Sequence, residues 1–158
     1  MSVAFRRESD DEHKEPEYEL PIPLGPNLVT PRGARLLGEW ENELKAAIAA
    51  EVAEEPRKKL QRQFRYVATR KASAEIAPPP PAGTIGIGSI VTYRLNGAER
   101  QIIIVGHDEA DPAAARIAFT APLGRAMIGA ETGDLLAFQG REDALEVIDA
   151  RPDEEVQQ

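Results

Sequence analysis

The chain has 158 residues, which is enough for one ordinary domain or for a small domain with an extended element. Its formal net charge of −8 at pH 7 argues against a protein that holds nucleic acid through its overall electrostatic field, so any nucleic-acid role must be local or indirect. There is no cysteine, which excludes disulfides and thiolate metal sites, and the two histidines, His13 and His107, are too few for a histidine-based zinc site.

The N-terminal residues do not have the composition of a targeting segment. Met1 to Asp10 is charged where a signal peptide would be apolar, and no apolar run approaches the roughly 20 residues that a membrane-spanning helix needs. We therefore expect a soluble, cytoplasmic and monomeric protein with no membrane partner.

The two ends of the chain are predicted to lack a fold of their own. Residues 1–27 are dense in acidic residues and proline and contain little apolar surface. Such a segment cannot offset the conformational entropy that ordering would cost, so we predict a disordered acidic tail. Residues 151–158 are expected to be a short flexible tail.

A first helix is predicted to begin at Pro31. Thr30 is a suitable N-cap, and proline is favoured at the first helical position because its missing N–H costs nothing there. Pro56 should end or restart the helix and mark the chain reversal, which gives a first arm of about 26 residues and about 39 Å. The apolar residues recur at steps of three and four, which indicates one buried face: Leu37, Trp40, Leu44, Ile48 and Val52.

A second helix is predicted after Pro56, with a shorter arm. Its repeating positions are Leu60, Phe64, Val67, Lys71 and Ala74. Two helices with matching apolar faces and a short connection predict an antiparallel helical hairpin over residues 28–77. The first arm is rich in glutamate and the second in arginine and lysine, so the arms should attract each other. The basic run is interpreted as a solvated face rather than as a nucleic-acid groove.

The remainder of the chain is predicted to be a proline-rich linker and a small sheet domain. Four consecutive prolines in residues 78–83 favour a semi-rigid polyproline II spacer. Residues 84–150 then show strand patterns, and Asn96-Gly97 is the typical dipeptide of a type I′ hairpin turn. We predict an antiparallel sheet with one short helix between Pro122 and Gly129, so the whole chain has an α+β fold.

The order of several short motifs resembles one family, the Gre-type bacterial transcription elongation factors (GreA and GreB). "DEADP" at residues 108–112 and "TAPLGRAMIGAETGD" at residues 120–134 resemble the Gre C-terminal domain. "NLVTPRGARLL" at residues 27–37 and "FRYVATRKASAEI" at residues 64–76 are similar to the start and end of Gre coiled coils. The resemblance covers Asn27 to Asp149, with a coiled coil that looks shortened.

The resemblance implies a role as an accessory protein of RNA polymerase rather than as an enzyme. Gre factors dock an FKBP-like C-terminal domain at the mouth of the polymerase secondary channel and insert the coiled coil into the channel. Any cleavage of backtracked RNA would be catalysed by the polymerase active site. Transcript and DNA would be contacted only through the polymerase complex. The residues that the resemblance nominates for polymerase binding are Asp108, Glu109, Asp111, Thr120, Pro122 and Leu123.

The tip of the hairpin is a candidate metal-binding site. In Gre factors, acidic tip residues help to hold a second Mg²⁺, an ion that needs few protein ligands because it keeps several waters. This chain lacks the family's GDLKENAEY-type tip sequence and has "EVAEEP" instead. Glu51 and Glu55 would share a helix face with Glu54 beside them. We expect no cofactor in the free protein. Glu51, Glu54 and Glu55 are either the solvated end of a helix or ligands of a Mg²⁺ shared with polymerase.

Three other functions are left open by the sequence. A short-hairpin regulator similar to Rnk or to the Gre antagonists would dock on polymerase without stimulating cleavage. An FKBP-like prolyl isomerase would need an aromatic pocket, whereas this domain has only Tyr93, Phe119 and Phe138. A purely structural coiled-coil protein would leave the "DEADP" and "TAPLGRAMIG" motifs without a role.

Overall fold

A computed structural model of the chain describes residues 18–158. Residues 1–17, most of the predicted acidic tail, lie outside the described residues. Residues 18–27 form no helix or strand, and the chain then enters a pair of long helices followed by a five-stranded sheet. Between residues 18 and 158, no helix is both long and apolar enough to cross a bilayer.

The first part is the predicted helical hairpin. It contains β1 (Leu28–Val29), α1 (Pro31–Ala50), α2 (Glu54–Ser73) and β2 (Glu75–Ile76). The two short strands pair in parallel and close the base of the hairpin. The predicted helix start is confirmed, because Pro31 is the first helical residue and Thr30 Oγ1 accepts a hydrogen bond from Gly33 N at 2.9 Å.

The position of the chain reversal differs from the prediction. α1 ends at Ala50, and Pro56 lies inside the first turn of α2 rather than at the reversal. Proline is tolerated there because N–H groups in the first helical turn have no intrahelical acceptor. Both helices have 20 residues, so neither the 26-residue first arm nor the shorter second arm is correct.

The hairpin core follows the predicted apolar faces with two corrections. Leu37, Trp40 and Leu44 of α1 pack with Val67 of α2. Val52 is 92% exposed, because α1 has already ended before it. Lys71 is also exposed, and its ammonium group binds Glu41 across the hairpin at 2.9 Å.

The second part is a five-stranded sheet with one short helix. The helix is α3 (Pro122–Met127), and the strand order is β5–β4–β3–β7–β6. The strands are β3 (Ser89–Leu95), β4 (Ala98–Val105), β5 (Arg116–Ala118), β6 (Leu135–Phe138) and β7 (Arg141–Pro152). The predicted turn is confirmed, since Asn96 and Gly97 have φ angles of 53° and 78°.

The sheet is not wholly antiparallel as predicted. β5 pairs with β4 in parallel, whereas the other neighbouring pairs are antiparallel. β4 and β5 are joined by residues 106–115, which form two 3₁₀ helices, His107–Glu109 and Pro112–Ala114, instead of a tight hairpin turn. A longer connection of this kind lets the chain return and start β5 in the same direction as β4. This connection contains the "DEADP" sequence.

The sheet and α3 share one apolar core. Its buried residues include Val91, Tyr93, Ile104, Met127 and Leu145. Tyr93 is therefore a core residue, Phe119 is half-buried against the core, and Phe138 is half-buried.

Candidate functional site at the junction of the hairpin and the sheet

The carboxylate of Asp108 joins the sheet domain to the far end of α2. Its Oδ1 accepts a hydrogen bond from the Tyr66 hydroxyl at 2.5 Å, and its Oδ2 accepts one from Arg70 Nε at 2.6 Å. Asp108 is 8% exposed and Arg70 is 3% exposed. A charged pair that is this buried depends on both partners, because either charge alone would lie unpaired in a medium of low dielectric.

The next carboxylate, Glu109, joins the same loop to the start of α1. Its Oε1 accepts a hydrogen bond from Thr30 Oγ1 at 2.5 Å, and its Oε2 binds Arg32 at 2.9 Å. Thr30 is therefore both the N-cap of α1, through Gly33 N, and a donor to the sheet domain. A carboxylate at this position is also stabilised by the positive end of the α1 dipole.

Two glycines allow the close approach of the two parts. A Cβ on Gly106 would lie 2.5 Å from the carbonyl oxygen of Leu28, and a Cβ on Gly33 would lie 2.8 Å from Glu109 Oε1. Both distances are shorter than a real side chain tolerates. At Gly106 the obstacle is backbone, so the contact requires glycine there, whereas a Cβ at position 33 would have to displace the Glu109 carboxylate from Thr30 and Arg32.

The C-terminal residues add a third connection. Arg32 N donates a hydrogen bond to the carbonyl oxygen of Val156 at 3.0 Å, so one of the N–H groups left without an intrahelical acceptor at the start of α1 is satisfied from the end of the chain. The side chain of Val156 is fully buried. We call the contacts of Asp108, Glu109 and Val156 with the hairpin the junction.

The junction changes the titration of one side chain. Burial raises the pKa of Tyr66 well above its ordinary value, and the hydrogen bond to Asp108 raises it further. Ionisation of Tyr66 would place a phenolate against the Asp108 carboxylate. The hydroxyl consequently stays a donor throughout the neutral pH range.

The structure separates the six residues nominated for polymerase binding into two sets. Asp108 and Glu109 are buried in the junction and face the hairpin. The other four lie further along the chain: Asp111, Thr120, Pro122 and Leu123. Thr120 and Pro122 are exposed before and at the start of α3, whereas Leu123 is half-buried against the sheet core. Asp111 is half-buried and exchanges two backbone hydrogen bonds with Arg116.

The three glutamates of the tip are not on one helix face. Glu51 caps the end of α1, and its Oε2 accepts a hydrogen bond from Ala53 N at 3.1 Å. Glu54 and Glu55 open α2 and lie 3.6 and 3.8 Å from the Lys58 ammonium group. The predicted i, i+4 relation of Glu51 and Glu55 is wrong, because the reversal falls between them. Within residues 18–158 no three acidic or histidine side chains are arranged to hold a metal ion.

Sequence reasoning missed the hairpin side of the junction. The predicted site residues did not include Arg32, Tyr66 or Arg70. The basic run of the second helix, which contains Arg70, was interpreted as a solvated face. A signal was present in the spacing, because Arg70 follows the buried Val67 by three residues and so shares its face. The sequence gives no indication that the partner of Arg70 would be Asp108.

Comparison with known proteins identifies the sheet domain. Residues 80–152 match the family model of the C-terminal part of the transcription elongation factors GreA and GreB. The matched residues make up just under half of the chain and contain the sheet domain. We refer to them as the Gre domain, and the resemblance inferred from "DEADP" and "TAPLGRAMIGAETGD" is thereby confirmed.

Individual relatives match a smaller fraction of the chain, a little over a third. The transcription elongation factor GreA of Thermomicrobium roseum is 36% identical over 55 residues, which cover 35% of this chain and 35% of that protein. GreA of Clostridium kluyveri is 34% identical over 61 residues, or 37% and 38% of the two chains. The matched stretch thus spans little more than a third of each of these relatives.

A solved structure of lower similarity is the GreA factor homolog 1 (Gfh1) of Thermus thermophilus. It has 15% sequence identity to this chain and a TM-score of 0.39, and the alignment covers 80% of this chain and 99% of Gfh1.

Proposed function

We propose that this protein is a transcription elongation factor that binds RNA polymerase at the secondary channel. The observation that carries the proposal is the attachment of a Gre domain to a two-helix hairpin through the buried carboxylates of Asp108 and Glu109. The Gre domain would supply the docking surface and would have the FKBP-like fold expected from the resemblance. The protein itself would catalyse no reaction.

The dimensions of the hairpin support this role. Each helix has 20 residues, which corresponds to about 30 Å. A pair of packed helices is narrow enough to enter a channel, and its direction is useful only if its base is held. The junction holds both helices, since Asp108 binds α2 and Glu109 binds the start of α1.

The exposed start of α3 is the proposed contact surface for polymerase. Thr120 and Pro122 are accessible there, and Leu123 and Asp111 are partly accessible. Asp108 and Glu109 would contribute indirectly, because their carboxylates are already bound to the hairpin. Direct contact of these two residues with polymerase would require the junction to open.

The glutamates at the tip are the proposed link to RNA cleavage. Glu51, Glu54 and Glu55 lie at the chain reversal, where the hairpin would reach deepest. Mg²⁺ dehydrates reluctantly and is usually held by one or two carboxylates together with phosphate oxygens. The tip would therefore hold the ion only together with polymerase and the RNA phosphate, and the polymerase would perform the hydrolysis.

Binding to purified core RNA polymerase tests the proposal. We expect the full chain to bind in a biosensor assay and Thr120→Arg to weaken that binding, because the added side chain and charge would obstruct the surface at α3. Thr132→Arg makes the same change at another exposed threonine and should bind as the wild type does. No binding by the wild type would refute the proposal, and equal binding by both variants would remove the α3 surface from it.

A further inference from the structure

The chain that precedes the hairpin lies along α2 and contacts it at two points. Asn27 Nδ2 donates a hydrogen bond to Ser73 Oγ at 3.1 Å, in the last turn of α2. Closer to the N-terminus, Glu19 binds Arg65 with both carboxylate oxygens, at 2.9 Å to Nε and 2.8 Å to a terminal nitrogen. We call these two contacts the anchors. Residues 20–24, with the sequence "LPIPL", lie between them.

The apolar side chains of this segment face away from α2. The chain has no turn or bend before residue 24, and the two prolines restrict both themselves and the residues that precede them to extended backbone. Side chains alternate along an extended chain, and that of the odd-numbered Glu19 points to Arg65. The even-numbered side chains therefore point the other way. Their exposed fractions are 72% for Tyr18, 39% for Leu20, 42% for Ile22 and 96% for Leu24.

Only one edge of the segment can form a full set of strand hydrogen bonds. The N–H and C=O groups of successive residues in a strand point to alternate edges. The edge of the even-numbered residues keeps all its N–H groups, whereas the opposite edge contains Pro21 and Pro23, which have none. Within residues 18–158, no backbone hydrogen bond joins residues 20–24 to another part of the chain. The complete edge can therefore accept a second strand.

The sequence of the segment is self-complementary in an antiparallel pair. "LPIPL" reads the same in both directions about Ile22. When two copies pair about a twofold axis at this residue, Ile22 lies opposite Ile22 of the second copy, and Leu20 lies opposite Leu24 of the second copy. The prolines then occupy the positions that exchange no hydrogen bonds. A twofold interface needs this property, because both copies contribute the same surface to it.

We propose that residues 20–24 are a homodimerisation strand that pairs in antiparallel orientation with the same residues of a second copy of this chain. The anchors hold the strand extended, which reduces the conformational entropy lost on pairing. Leucine and isoleucine side chains would contact one another across the two strands. The prolines on the outer edges would keep a third strand from adding, so association stops at the dimer. The pairing involves no contact with polymerase and is independent of the proposed function.

Sedimentation of the full chain measures the association. A two-stranded ribbon is only marginally stable by itself, so we expect a dissociation constant of about 0.1–1 mM rather than the strict monomer expected from the sequence. Ile22→Pro should abolish the dimer, because it keeps an apolar side chain but removes the central N–H group. Ile22→Val is the matched control and should still dimerise. A wild type that stays monomeric at about 1 mM, or an Ile22→Pro variant that dimerises as the wild type does, would overturn the proposal.

Disulfide cross-linking tests the register. The chain has no cysteine, so Ile22→Cys and Leu20→Cys each introduce a single thiol. In the proposed pair the two Cα atoms at position 22 are about 5.5 Å apart, which suits a disulfide, whereas those at position 20 are about 14 Å apart. Under mild oxidation Ile22→Cys should therefore form a linked dimer at least about tenfold faster than Leu20→Cys.

A mixture of two variants completes the register test. Leu20→Cys and Leu24→Cys place their thiols opposite each other in the proposed pair, so the mixture should form the mixed disulfide in preference to either symmetric one. Equal rates of cross-linking for Ile22→Cys and Leu20→Cys would show that the copies meet at random, and would refute the pairing.

Discussion

Asp108 and Glu109 are neighbours in the chain, yet each binds a different helix of the hairpin. Asp108 binds Arg70 near the end of α2, and Glu109 binds Arg32 in the first turn of α1. Because a single 3₁₀ turn holds both helices at their base, a rotation of the hairpin relative to the Gre domain would have to break at least one buried ion pair. The direction of the hairpin is thereby coupled to the structure of the "DEADP" loop.

Asp108→Asn should destabilise the protein. The substitution keeps the shape of the side chain but leaves the Arg70 guanidinium buried without its counter-ion, and breaking a buried pair in this way costs about 3–5 kcal/mol. Urea unfolding measures the free energy change. Asp111→Asn is the matched control in the same loop and should cost under about 0.5 kcal/mol, since its side chain does not cap the helix that follows it. Equal effects of both substitutions would contradict the assignment of Asp108 to the junction.

Gly33→Ala and Gly38→Ala should have different effects although both glycines lie in α1. Alanine at position 38 meets no atom within 4 Å and should stabilise the helix by about 0.5–1 kcal/mol. Alanine at position 33 would displace the Glu109 carboxylate from Thr30 and Arg32. The lost contacts should outweigh the gain in helix propensity, so the free energy of unfolding should fall. Thermal unfolding of the two variants compares them directly. A stabilised Gly33→Ala variant would mean that the junction is looser than described.

Tyr66 should make the stability fall at alkaline pH. Its pKa is raised in the folded state, so above the ordinary value of 10.0 the unfolded chain loses a proton that the folded chain retains. The free energy of unfolding should therefore be unaffected by this group below that pH and should decrease as the pH rises above it. Urea midpoints measured from about pH 9 to about pH 11 test this expectation. Tyr66→Phe should flatten the decrease, and an unchanged slope would contradict it.

The glutamates of the tip should be required for cleavage and not for binding. If the proposed function is correct, the wild type accelerates RNA cleavage in a backtracked polymerase complex. Changing Glu51, Glu54 and Glu55 to alanine should reduce the rate to that of polymerase alone and leave the affinity unchanged. Glu131, Glu142 and Glu154 are exposed and lie outside the hairpin, so changing them to alanine together provides a control of equal charge.

The outcomes of the cleavage experiment distinguish the two roles considered for the hairpin. If the wild type binds polymerase but cleavage stays at the rate without the factor, the tip does not deliver a metal ion. The protein would then be a regulator that occupies the channel, similar to Rnk or to the Gre antagonists.

Much of the fold was predictable because its signals are local. The Thr30–Pro31 start of α1 depends on a few adjacent residues, and the turn at Asn96-Gly97 depends on two backbone conformations that this dipeptide favours. The apolar faces of α1 and α2 follow from helical periodicity and were correct except at the ends. The point of reversal was misplaced because a proline signals the end of one helix and the first turn of the next equally well.

The sequence by itself determined that there would be two amphipathic helices, a proline-rich connection and a small sheet with Gre motifs. Only the tertiary structure decided that β5 runs parallel to β4 and that the carboxylates of Asp108 and Glu109 face the hairpin. The partners of Asp108 lie 38 and 42 positions away, and those of Glu109 lie 77 and 79 positions away. Contacts over such separations depend on how the hairpin packs on the sheet, and no signal confined to a few residues carries that information.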